Sequence, residues 1–109
     1  MEAPVNFDNL RAITGGDADL ETALFASFLG TAYACVTKLR TALMQNDESL
    51  WRQQAHAFKG VCMNLGANPL AELCAKAQMD CRASDDDKRA MLQSIEDEFK
   101  RVQLAVDST

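Results

Sequence analysis

The chain has 109 residues, 48% of them apolar and 25% charged, and a net charge of −5. That length suits one domain, residues 1–109, with a core of its own. The acidic balance argues against nucleic acid and anionic membranes as partners, since both call for basic patches.

No apolar run approaches the roughly 20 residues needed to span a membrane. The opening stretch "MEAPVNFDNL" has no basic flank followed by an apolar segment, so no signal peptide is read and a cytoplasmic location is expected. Neither repeats nor sustained β-type alternation occur, and turn and cap residues divide the chain into five helical segments. Asn6 can cap a short first helix carrying Phe7, Leu10 and Ile13, which Gly15-Gly16 ends. Asp17 caps the second, with acidic residues in its first turn. Its apolar positions Leu24, Phe28, Cys35, Leu39 and Leu43 recur at steps of three, four or seven, and carry it to about Gln45. "QNDES" is the next break, with Asp47 as a cap for a third helix running to about Leu65. Gly66 suits a left-handed C-terminal cap. Asn68 as N-cap and Pro69 at the first helical position restart the chain.

Leu70, Leu73, Cys74, Ala77 and Cys81 mark the fourth helix. "ASDDD" breaks it, and Ser84 or Asp85 caps the last, whose stripe is Met91, Leu92, Ile95, Phe99 and Val102. Long periodic segments joined by short polar connections predict an all-α fold: an antiparallel four-helix bundle with a short additional N-terminal helix over one end. The four cysteines, 35, 62, 74 and 81, form no CxxC pair. They read as small, buried, reduced thiols. Zinc would want closer pairs or more histidines, so no metal site is expected.

The only histidine lies in "AHAFKGVCMNLGA", residues 55–67. The third helix has an apolar stripe of Leu50, Ala57, Phe58, Val61 and Leu65, and His56 projects roughly opposite its centre. Arg52, Lys59 and Met63 fall on the same outer side, with Gly60 beside them. Taken singly, the histidine reads as an inert surface residue, the lysine as solvated, and the glycine as a site of close helix packing. Taken together they suggest chemistry. An exposed imidazole is largely unprotonated at neutral pH and can attack phosphorus. A compact ammonium can stabilise the oxygens of the product. A glycine costs a helix interior ~1 kcal/mol relative to alanine but leaves room for an approaching group.

The segment resembles the signature of histidine-containing phosphotransfer (HPt) domains of multistep phosphorelays, approximately A-H-x-L-K-G-(S/A)-(S/A)-x-x-(I/L/V)-G-A. Ala55, His56, Lys59, Gly60, Leu65, Gly66 and Ala67 match it. Phe58 replaces the usual leucine, and Val61 and Cys62 replace the two small residues. The resemblance extends over nearly the whole chain, including the Gly-Gly-Asp break and "LAELC" after "NLGANP". It implies that His56 accepts a phosphoryl group from a receiver-domain aspartate and passes it to another. Lys59 would stabilise the group and Gly60 would leave room for it. The implied partners are response-regulator receiver domains and a hybrid sensor histidine kinase. The chain itself would need no cofactor, because the receiver brings the acidic pocket and Mg²⁺, and a monomer is expected.

Some family members place a polar residue on the following helix near the histidine. Counting residues about a reversal at Gly66-Ala67 selects Gln78 independently, since it and His56 each lie about 15 Å from the turn at ~1.5 Å per residue. Arg82 would lie one turn beyond. Docking is expected around Arg52, Met63 and the gap at Gly60, flanked by the first helix and the start of the second. Enzyme readings find little support. No Gly-rich phosphate loop offers a nucleotide site, position 53 is glutamine where a di-iron bundle would need Glu-x-x-His, and Cys62 points away from His56. The competing function is a helical-bundle adaptor or inhibitor that binds a receiver or kinase without carrying phosphate.

Overall fold

The computed structural model describes residues 2–107. Met1, Ser108 and Thr109, the ends of the expected 1–109 span, lie outside the described residues. The elements are α1 (Phe7–Thr14), α2 (Ala18–Met44), α3 (Glu48–Leu65), α4 (Asn68–Met79) and α5 (Asp85–Asp107), with no strand among the described residues. Helices α2 with α3, α3 with α4, α4 with α5 and α2 with α5 pack against one another, closing a four-helix bundle. Arg40 pairs with Glu96 at 2.7 Å and Tyr33 meets Gln103 at 2.6 Å, so α5 runs antiparallel to α2.

Most boundaries follow local chemistry. Asn6 accepts from the Asn9 amide, Asp17 from Asp19 and Leu20, and Asp47 from Leu50, each supplying a partner to an otherwise orphaned N–H. Ser84 does the same for Asp87, which makes it the cap of α5. Gly15 ends α1 and Gly66 ends α3 in left-handed conformations. At α4 the boundary differs by one residue from the sequence expectation. Ala67 is the N-cap with no side-chain bond, Asn68 is already helical, and Pro69 sits in the first turn. Ala67 is fully buried beneath the turn, so packing and the proline start the helix without a polar cap.

The other C-terminal boundary of α4 also differs. The helix stops at Met79, and residues 80–84 turn towards α5, with Asp80 O accepting from the Ala83 amide. Cys81 and Arg82 are therefore off the helix, and Cys74 and Cys81 share no helix face. All four cysteines are free; Cys35, Cys62 and Cys74 are buried and Cys81 is half-buried.

The inner arc of α3 is Trp51, Ala55, Phe58, Cys62 and Leu65. Phe58 and Leu65 are there as the sequence led one to expect, but the expected Leu50, Ala57 and Val61 are not. Ala57 is exposed and the other two only half-buried. The reason is that α3 is held on two sides, by α2 and by α4, so its buried arc faces the line between them. In α2, Phe28, Cys35 and Leu39 are buried as expected, joined by Phe25, Ala32, Val36 and Ala42, while Leu24 and Leu43 are half-buried. By length and composition α2 is long and apolar enough to cross a membrane, contrary to the sequence reading. In this fold its apolar face packs on α3 and α5. Phe99 gathers that core, standing edge-on to Phe28, Phe58 and Tyr33 at centroid distances of 6.3, 6.1 and 5.2 Å.

The short α1 touches α2 and buries Leu10, while Ile13 is 61% exposed. The chain before α1 is tied to the α3–α4 turn, where the Asn6 amide donates to Gly66 O at 2.8 Å.

Candidate functional site

His56 stands a little over two turns into α3. Its neighbour Ala55 is fully buried, so the backbone there is held against the core while the imidazole, 100° further round, is exposed. Across the α3–α4 contact, Gln78 lies in the last turn of α4, and His56 Nδ1 is 3.3 Å from Gln78 Oε1. With the Gln78 amide turned so that its oxygen meets the ring, the contact places the proton on Nδ1, since an amide oxygen only accepts. The Nε2 lone pair is then left free, and no hydrogen bond involves Nε2 among the described residues.

Lys59, one turn on, is half-buried and has no carboxylate within ion-pair distance among the described residues. Its charge is available to an incoming anion. A Cβ built on Gly60 would meet nothing within 4 Å. Close helix packing therefore does not account for this glycine; the space beside it is open. Arg52 is exposed and Met63 is 59% exposed, both on the outer side of α3. Arg82 is exposed in the α4–α5 turn rather than a helical turn beyond Gln78, and no hydrogen bond or ion pair joins it to His56.

Beginning one residue past Gly60, a groove of about 390 Å³ opens between α1, α2 and the end of α3. Leu10, Leu24, Phe28 and Val61 line it, with Ser27 and Asn64 supplying polar edges. Cys62 is fully buried and takes no part in the exposed site. Its contact with Cys74, and then burial, push its thiol well above the usual range, and burial raises that of Cys35. These thiols stay protonated and poorly nucleophilic. Among the described residues no group of three or more His, Cys, Asp or Glu side chains is gathered as metal ligands.

Sequence reasoning passed over Trp51, the only tryptophan. It is fully buried, and its indole N–H donates to Ala77 O at 2.9 Å, beside Gln78. The spacing Trp51–Ala55–Phe58–Cys62 was the available signal, since it is a better helical stripe than the one centred on Ala57 and Val61.

The Hpt domain family model matches residues 23–105 of this chain. The chain therefore belongs to the Hpt domain family, whose members are phosphocarrier modules of histidine phosphorelays, not kinases, and work with receiver domains and kinases. The match runs from the second turn of α2 to near the end of α5 and leaves α1 outside it. No curated protein and no solved structure matches the chain.

Proposed function

We propose that this chain relays a phosphoryl group between receiver-domain aspartates through His56. The observation that carries this reading is the state of the imidazole: exposed, with Nδ1 engaged by Gln78 and open space at Gly60 one turn away. Nε2 attacks the aspartyl phosphate in line, the N–P bond forms, and the acyl P–O bond breaks, returning the electron pair to the receiver's carboxylate. The imidazole keeps its Nδ1 proton throughout, so Gln78 accepts the same hydrogen bond before and after transfer and neutralises no charge. Lys59 offsets the phosphoryl oxygens. The reverse steps load the next receiver. Mg²⁺ arrives with the receiver's acidic pocket, and this chain contributes no cofactor.

The receiver docks on the outer side of α3. Arg52 lies one turn before the acceptor and Met63 two turns after it on α3, and the groove between α1 and α2 lies beyond Gly60. A small, transient contact with an apolar centre and polar rim fits a carrier that must release both partners.

The test is transfer from a phosphorylated receiver. One acid-labile, alkali-stable phosphoryl group per chain is expected, and His56→Gln should abolish it while the helical circular dichroism stays unchanged. Labelling of the His56→Gln chain at the unmodified level would overturn the assignment. Binding of a receiver with no labelling of either chain would favour a non-phosphorylated adaptor.

A further inference from the structure

We infer that Trp51 is a positioning residue for the acceptor: its indole N–H caps the last turn of α4 and so holds Gln78 against His56 Nδ1. The inference rests on the reading of His56 as phosphoacceptor.

The last carbonyls of a helix have no partner within it. At the end of α4, Lys76 O is taken by the Asp80 amide. Ala77 O is taken by Trp51, from the neighbouring helix, at 2.9 Å. Gln78 is the next residue, so the turn that presents its amide is held by a side chain of the helix that bears the histidine. Final turns fray unless something ties them. Here the tie and the histidine stand on the same helix, five positions apart. Movement of α4 along α3 would break both contacts.

The indole is also closed from a third side. Lys88, in the first turn of α5 and itself 5% exposed, places Nζ 5.4 Å from the ring centroid. Trp51 thus joins α3, α4 and α5 at one buried point behind the exposed imidazole. The consequence for chemistry is the tautomer. With Gln78 held in place, Nδ1 carries the proton and Nε2 is the nucleophile. With α4 free to fray, the proton distributes over both nitrogens and part of the population presents the wrong atom.

Because the chain has a single tryptophan, biosynthetic replacement by 3-benzothienylalanine changes one site and exchanges the indole N–H for a sulfur that cannot donate. Nitrogen-15 spectra of His56 report the tautomer without any phosphate. The unmodified chain should show Nδ1 protonated and Nε2 bare. The replaced chain should show a tautomer mixture, and phosphotransfer should fall about three- to tenfold, the worth of one hydrogen bond. In a Gln78→Leu background the replacement should have no further effect on either readout. An unchanged tautomer, or an equal loss of transfer in the Gln78→Leu background, would overturn the inference and leave Trp51 a packing residue. If the replaced chain does not fold, Trp51→Phe is read in the same way. If neither folds, indole N–H exchange in the unmodified chain decides: protection equal to the α3 core amides supports the cap, and exchange as fast as an open indole overturns it. A chain that shows the tautomer shift but never takes phosphate refutes the phosphoacceptor reading and not the role of Trp51.

Discussion

At the scale of the residue, two different side chains flank the imidazole. Gln78 engages one nitrogen of His56 and leaves the other free. Lys59 adds a charge that no acid among the described residues neutralises. A half-buried ammonium is partly shielded from water, so a contact with phosphoryl oxygens would be stronger there than at an open surface. Lys59→Ala should therefore slow transfer, or shorten the phosphohistidine lifetime, by roughly one to two powers of ten, as for a lost charge-assisted contact of ~1.5–3 kcal/mol. Quench-flow transfer assays and phosphohistidine decay measure this directly. Unchanged rates would make Lys59 a solvated bystander.

At the scale of the element, the glycine within α3 and the glycine that ends it act in opposite ways. Gly60 has ordinary helical geometry and open space where a side chain would go. Gly60→Gln should raise stability by about 0.5–1 kcal/mol, because glutamine is the better helix former. It should also cut phosphotransfer severely, by filling the approach to His56. Thermal melts and transfer rates on the same preparation test this opposition, and full transfer activity would refute the clearance argument. Gly66 has φ of 87°, and a Cβ there would lie 3.1 Å from the Asn6 carbonyl oxygen. Gly66→Ala should cost about 1–3 kcal/mol through backbone strain and displacement of the segment before α1. A urea midpoint equal to that of the unmodified chain would contradict it.

At the scale of the whole molecule, the bundle keeps the face that bears His56 apart from the core. Phe99 lies on α5 and packs edge-on against rings from α2 and α3, while the imidazole projects from the outer side of α3. Phe99→Ala should destabilise the fold by about 3–5 kcal/mol, read as a lower urea midpoint. Transfer per folded molecule should be nearly unchanged at low temperature, because no contact of the site is removed. A loss of transfer disproportionate to the unfolded fraction would show that the core reaches the site.

Helix number, most caps and the bundle class were legible in the sequence because they depend on local chemistry: Asn6, Asp17, Asp47 and Ser84 bond amides within three residues of themselves. Gln78 opposite His56 followed from counting along two helices about one turn. The inner arc of α3 did not, because it depends on where α2 and α4 both press, and periodicity describes one helix at a time. The end of α4 at Met79 was hidden for the same reason, and with it the displacement of Arg82. Only tertiary structure brings Trp51 to Ala77 O, since nothing local links residues 26 apart in sequence. The pattern of apolar and capping residues determined which helices form; the packing of three helices around one indole decided how the last turn of α4 meets the histidine.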